Sequence, residues 1–464
     1  MPQNYKNILI YANFLLILWP IFSMTSICAI STAYGTGGIA VVRVSGEESV
    51  RIVDSLFRGR TSLQDAKAGT VHFGRIEREG EVLDEVLCSV FHAPHSFTGE
   101  DTVEIACHGS LFIQQELLRW LIDAGCKAAE PGEFTRRAFL NGKMDLTQAE
   151  AVADLIAAQS KAEKDLALSQ LRGSVSNELA ALRERLLHFT SLIELELDFA
   201  DHEELEFADR TELRALAAEI EAKLTALIQS FKTGNAIRNG IPVAIVGAPN
   251  VGKSTLLNAL LGEQRAIVSD IQGTTRDTIE DTLVIDGILF RLIDTAGLRE
   301  TSDQLENMGI ERSRQAVEKA QIVISVLERG VPEVILDNTN GKTVIKVYNK
   351  ADLLMPDERV NIIDGLCISA KKGMIEPLKK ALVRVAKESM RTSAVMLSNA
   401  RHYEAVCRAH EAIQRVQEGL KEGLSGELLS LDLQDCLSAL GEVTGQITNQ
   451  EVLTNIFSKF CIGK

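Results

Sequence analysis

Ile241-Pro-Val-Ala-Ile-Val246-Gly247-Ala-Pro-Asn250-Val251-Gly252-Lys253-Ser254-Thr255 reads as an apolar strand running straight into a phosphate loop and then a helix over Thr255–Leu261. Gly247 and Gly252 let the backbone curl until successive N–H groups point at phosphate oxygens, and the following helix N-terminus adds its dipole. Lys253 is placed to lie along the β- and γ-phosphates, and the Ser254 hydroxyl to ligate Mg²⁺. A Gly-rich turn of no function would not need a strand before it and a helix after it.

Downstream motifs select the base. Leu289-Phe-Arg-Leu-Ile-Asp294-Thr295-Ala296-Gly297 is a strand ending in the acidic residue and glycine expected near Mg²⁺ and the γ-phosphate. Val344-Ile-Lys-Val-Tyr-Asn349-Lys350-Ala351-Asp352 ends a further strand in Asn-Lys-x-Asp. An aspartate can accept both the ring N–H and the exocyclic amine of guanine, a pair that adenine lacks. Ser369-Ala370-Lys371 then closes the base pocket through backbone N–H groups. GTP is the expected nucleotide, with ATP the weaker alternative.

Hydrolysis needs an oriented water, yet Leu298 follows Gly297 where Ras-like enzymes carry glutamine. Asn250 offers an oxygen beside the phosphates, where a monovalent cation could replace an arginine finger. The segment Ser269-Asp270-Ile271-Gln272-Gly273-Thr274-Thr275-Arg276-Asp277 carries hydroxyls and carbonyls to complete such a shell, with Thr275 as a second Mg²⁺ ligand. Arg299-Glu-Thr-Ser-Asp-Gln-Leu-Glu306 could supply a water-orienting carboxylate; the alternative is that these acids only solvate a loop.

Outward from this centre, 464 residues leave room for about three domains. The 45% apolar and 24% charged composition excludes a disordered or fibrous chain. A balance of 49 basic against 64 acidic residues excludes a uniformly basic nucleic-acid binder but not a local patch. Eight scattered cysteines without a Cys-x-x-Cys pair suit reduced thiols in a cytosolic protein. His92, His95 and His108 lack zinc-ligand spacing.

Residues 1–23 contain the apolar run Ile8–Phe22, too short for a membrane span. They are set apart as an artefact of an upstream start site, with a membrane anchor or a buried segment as the alternatives. Residues 24–140 read as an α+β domain with strands at Ile39–Val44, Val82–Phe91 and Thr102–Ala106 and a helix at Leu111–Ala124. Thr147-Gln-Ala-Glu150 reads as a capping box opening long helices over 141–238, with Gly173 their weak point. Residues 239–390 alternate strand and helix as a doubly wound α/β domain, and helical periodicity returns over 391–464. The architecture expected is a G domain inserted between two stretches of one helical domain. The short span between Leu327 and Lys342 implies an abbreviated helix there.

Pro-Asn250-Val-Gly-Lys-Ser, Gly-Thr-Thr-Arg-Asp (273–277), Asp-Thr-Ala-Gly-Leu-Arg and Asn-Lys-Ala-Asp resemble the Era/TrmE group of GTPases. Gly-Gly-Ile-Ala-Val-Val-Arg-Val-Ser-Gly (37–46), Ser-Phe-Thr-Gly-Glu-Asp (96–101), Pro-Gly-Glu-Phe-Thr-Arg-Arg-Ala-Phe-Leu-Asn-Gly-Lys-Met-Asp-Leu-Thr-Gln-Ala-Glu-Ala (131–151) and a terminal Phe-Cys-Ile-Gly-Lys narrow this to the MnmE (TrmE) family. The resemblance covers Ile27 to Lys464. It implies K⁺ held by Asn250, Ser269, Ile271 and Thr274, Mg²⁺ by Ser254 and Thr275, and Glu306 as the catalytic carboxylate. It further implies a 5-formyl or 5,10-methylene tetrahydrofolate on Arg43, Glu104, Lys143 and Lys464, with Cys461 a candidate for catalysis. Taken alone, Arg43 and Lys143 would read as solvated surface charges. Also implied are a homodimer through the N-terminal domain and a heterotetramer with the flavoprotein MnmG. The expected product is tRNA carrying a carboxymethylaminomethyl or aminomethyl group at C5 of the wobble uridine, made in the cytoplasm without a membrane. The rival expectation is an Era-type regulatory GTPase that binds RNA or membrane and modifies nothing.

Overall fold

A computed structural model describes residues 25–199, 209–264, 281–293, 314–334, 339–355, 364–390 and 395–463. The chain divides into two units, Met1–Ala153 with Gly445–Lys464, and Asp154–Thr444.

The first unit is built on a seven-stranded sheet: β1 (Ile27–Ile30), β2 (Gly37–Ser45), β3 (Phe57–Gly59), β4 (Thr70–Arg78), β5 (Glu81–Phe91), β6 (Thr102–Gly109) and β7 (Lys127–Ala128). The order is β3-β4-β5-β6-β2-β1-β7. Alternation sorts its faces, as a period of two must. Val42 and Val44 are buried with Ile105, Cys88 and Val90 against α1 (Ser49–Leu56) and α2 (Leu111–Asp123), while Arg43 between the valines points to the other face. The outward face keeps Val71, Phe73, Leu87 and Ile39 exposed, with Phe73 directly opposite Leu87 in the ladder. After α3 (Glu133–Leu140), the start of α4 (Leu146–Ala157) packs Leu146 and Ala149 on Leu453, Phe457 and Phe460 from the C-terminal helix Gln450–Phe457 and its tail.

The capping box at the head of α4 sits two residues earlier than its sequence pattern indicated. Asp145 Oδ1 accepts the Gln148 N–H and Gln148 Oε1 accepts the Asp145 N–H, both at 2.9 Å. Thr147 lies inside the helix with its hydroxyl donating to Asp145. Aspartate is at least as good an N-cap as threonine, and it took the position.

In the second unit α5 (Lys161–Leu171) ends at Gly173, whose left-handed φ of 82° separates it from α6 (Ser174–Phe199). Asp209 caps α7 (Arg210–Asn239) by accepting the Thr211 and Glu212 N–H groups. Leu179, Leu186, Leu216 and Ile220 share one apolar core with Ala409, Ile413, Leu433 and Leu440 of α10 (Ala400–Glu422) and α11 (Gly426–Thr444). Between these stretches in sequence runs a six-stranded sheet of β8 (Ile241–Val246), β9 (Asp281–Ile285), β10 (Ile288–Leu292), β11 (Ile322–Leu327), β12 (Thr343–Tyr348) and β13 (Leu366–Cys367). Its order is β13-β12-β11-β8-β10-β9, parallel except for the β9–β10 hairpin. Every residue of β11 is buried, as befits a strand covered on both faces; α8 (Lys253–Gln264) and α9 (Glu376–Met390) pack on this sheet. No described residue between β11 and β12 is helical. No described helix is long and apolar enough to cross a membrane.

Candidate functional site

Parallel α/β sheets bind ligands at the carboxyl ends of their strands. Here that edge gathers the phosphate loop after β8, the Asn-Lys-x-Asp segment after β12 and the Ser-Ala segment after β13. Gly247 and Gly252 are required by contact as well as by dihedral angle. A Cβ on Gly247 would stand 2.3 Å from the Val326 carbonyl oxygen, and one on Gly252 2.3 Å from Asn349 Nδ2. Asn250 is left-handed at φ 62° and exposed. Lys253 opens α8 and donates to the Gly247 and Ala248 carbonyls at 3.0 and 2.8 Å, folding its ammonium over the loop. Burial lowers the pKa of that amine from its ordinary value. Val251 is buried, Ser254 is half-buried in the first turn of the same helix, and Thr255 beside it is exposed.

Asn349 ties the three segments together. Its Nδ2 donates to the Val251 carbonyl at 2.9 Å, and its Oδ1 accepts the Ala370 N–H at 3.0 Å, with the residue 5% exposed. Asp352 accepts the Ser369 hydroxyl at 2.5 Å, and that bond holds its carboxyl below the usual carboxylate range. Ala351 is buried through its N–H to the Ile368 carbonyl, and Lys371 is exposed at the rim. The loops after β8, β12 and β13 are thus brought to one edge, held by the bridging amide. The sequence motif marks Asn349 as part of the site; what it did not reveal is that the side chain joins two loops. Ser269, Asp270, Ile271, Gln272, Gly273, Thr274, Thr275, Asp294, Thr295, Ala296, Gly297 and Glu306 lie outside the described residues.

A second cluster lies in the first unit. Arg43 and Glu104 face each other across the β2–β6 ladder, and Arg43 Nε donates to Glu104 Oε1 at 2.9 Å. The guanidinium carbon sits 5.4 Å from the Phe97 ring centroid and 5.6 Å from that of Phe134. With its side chain 13% exposed, Arg43 is no solvated surface charge. Lys143 is exposed and donates to the Pro94 carbonyl at 2.7 Å, on the loop that carries Phe97. Behind that loop, Arg137 bonds Glu100 and Glu133 in a buried ion cluster. The C-terminal tail docks in this unit: the Gly132 N–H reaches the Cys461 carbonyl at 3.4 Å and the Ser31 hydroxyl reaches the Gly463 carbonyl at 3.2 Å. The Cys461 residue is exposed, and Lys464 lies outside the described residues. Phe97 and Phe134 escaped sequence reading because aromatic residues default to core; their place in the Ser-Phe-Thr-Gly-Glu-Asp and Pro-Gly-Glu-Phe blocks was the available signal.

Residues 26–143 match the family described as GTP-binding protein TrmE N-terminus, and residues 146–461 match the MnmE helical domain. A Parabacteroides distasonis protein named tRNA modification GTPase MnmE is 55% identical over 461 residues, covering 95% of this chain and 100% of the relative. A Porphyromonas gingivalis protein of the same name is 50% identical over 469 residues, covering 96% and 99%. Among solved structures, the G domain of the T. maritima FeoB iron transporter covers 32% of this chain and 98% of its own length, at 26% identity and a TM-score of 0.23.

Proposed function

The chain belongs to the MnmE (TrmE) family of tRNA modification GTPases, and from that premise we propose how its own residues divide the work. The sheet-edge crevice takes GTP: the phosphate loop and Lys253 hold the phosphates, and Asp352 accepts the guanine N–H pair while Asn349 keeps the two loops in register. Ser254 and Thr275 would hold Mg²⁺, which when bound would offset phosphate charge. The Ser254 position fits that role, since the hydroxyl sits in the first turn of α8, beside a loop too tight for any Cβ at Gly252. Asn250, Ser269, Ile271 and Thr274 would hold K⁺; the exposed residue Asn250 carries an amide oxygen suited to it. Glu306 orients the water.

The N-terminal cluster takes a tetrahydrofolate, 5-formyl or 5,10-methylene, which supplies a one-carbon unit. Glu104 offers an acceptor for the pterin amine and ring N–H, and the cations Arg43, Lys143 and Lys464 suit ring carbonyl and glutamyl carboxylates. Arg43 is fit for this because two rings and Glu104 already fix its plane. The doubly wound domain is an insertion in the helical domain, and its hydrolysis cycle switches the machine, because the modification chemistry needs organic cofactors. With the flavoprotein MnmG in a heterotetramer, the chain adds an aminomethyl or carboxymethylaminomethyl group to C5 of wobble uridine in cytoplasmic tRNA. Cys461 is the thiol available to that chemistry. The exposed Val71, Phe73, Leu87 and Ile39 row supports pairing of two copies through the N-terminal sheet.

The observation that carries this reading is the Asn349 bridge between phosphate loop and base loop. Comparing GTP turnover in KCl and NaCl tests it: turnover should depend on K⁺, and Asn250→Ala should lose the K⁺ stimulation while still binding nucleotide. Equal rates in the two salts would overturn the cation assignment. An Era-type switch without folate chemistry would show no folate binding by calorimetry at millimolar ligand.

A further inference from the structure

The last register pair of the parallel β11–β12 ladder is Leu327 with Tyr348, so the chain leaves both strands at the same edge. Asn349 continues that ladder by donating its N–H to the Leu327 carbonyl at 2.9 Å, which sets Glu328 beside Lys350. On its other flank β11 pairs with β8, Ser325 opposite Val246, and Val326 lies close against Gly247 of the phosphate loop. Glu328 therefore stands at the mouth of the crevice, between the phosphate loop and the base motif. Lys350 takes a left-handed φ of 60°, and its Nζ donates to Glu328 Oε2 at 2.6 Å, with the two side chains 35% and 26% exposed.

We propose that Glu328 is a positioning residue for guanine-nucleotide binding, holding the Lys350 ammonium so that the lysine chain is set before the base arrives. The inference rests on the GTP reading of this crevice. A long lysine on a strained backbone loses rotamer freedom when a ligand orders it. A partner that orders it in advance removes that loss from binding. The opposing effect is repulsion between a carboxylate and the nucleotide phosphates. Lys350 already neutralises Glu328, so the positioning effect should dominate.

Titration of the full chain with fluorescent GDP separates the two. Glu328→Gln should weaken GDP about two- to fivefold, the scale of a partly exposed ion pair, and Glu328→Asp should recover most of the loss. In a Lys350→Met background, Glu328→Gln should have no further effect, since the glutamate acts through the lysine. Unchanged or tighter binding by Glu328→Gln would overturn the inference, as would an equal loss with and without Lys350. A parent chain that fails to bind GDP overturns the nucleotide reading and this inference with it. A parent that binds beside an unchanged variant overturns the inference alone.

Discussion

Replacing Asn349 by Ala removes a side chain that joins the phosphate loop to the base loop, and the structure sets the scale of the loss. Two bonds disappear, to the Val251 carbonyl at 2.9 Å and from the Ala370 N–H at 3.0 Å, at a position 5% exposed. Each buried backbone group left unpaired costs about 1–3 kcal/mol, so the pair sets a ceiling of roughly 6 kcal/mol. Water entering the open crevice and reordering by bound nucleotide recover part of this. The expected effect on GDP affinity is about 2–3 kcal/mol, or roughly 30- to 150-fold. Asn349→Asp divides the effect: it retains the acceptor for Ala370 and sets a carboxylate against the Val251 carbonyl, so the phosphate-loop side alone is broken. Fluorescent-GDP titration with a thermal melt of the same samples separates affinity from folding. If Asn349→Ala binds GDP within about twofold of the parent, the bridge does not organise the crevice.

Three further outcomes are expected. Glu306→Ala should leave GTP affinity nearly intact and slow turnover by about 10²–10⁴-fold, measured in single turnover with Glu300→Ala and Asp303→Ala as controls; parent-like turnover by Glu306→Ala would assign the water to another group. Because the Ser369 bond depresses the Asp352 pKa, the contribution of the ionised carboxylate is present above the unfolded value of about 3.9 and is lost as pH falls through the lower folded value. Ser369→Ala should therefore move the acid limb of GDP binding to higher pH, and an unmoved limb would remove Asp352 from that titration. Phe97→Ala frees one face of the Arg43 guanidinium and should weaken 5-formyl-tetrahydrofolate by about 0.5–2 kcal/mol in calorimetry, whereas unaltered binding would show that the ring does not orient Arg43.

The nucleotide crevice was legible because its motifs sit where strands end, and short apolar strands punctuated by Gly and Asn-Lys-x-Asp are local signals. The same locality misled at α4, where Asp145-x-x-Gln148 and Thr147-x-x-Glu150 both satisfy a capping pattern and only the folded chain shows which is used. Contacts that depend on register were out of reach. Glu328 meets Lys350 only because β11 and β12 pair in parallel with Leu327 at Tyr348. Arg43 reads as a surface charge until β2 is set against β6 and the 92–101 loop brings Phe97 over it. Alternation along β2 did place Arg43 opposite in facing to Val42 and Val44, but it could not tell water from an aromatic wall.

On the proposed reading, GTP hydrolysis in this chain serves modification of the wobble uridine. Mass spectrometry of tRNA nucleosides from cells lacking the protein, restored with the parent chain or with Lys253→Ala, tests it most directly. The C5-aminomethyl or carboxymethylaminomethyl uridine should disappear without the protein, return with the parent and stay absent with Lys253→Ala. Modified uridine persisting at the parent level in cells without the protein would contradict it.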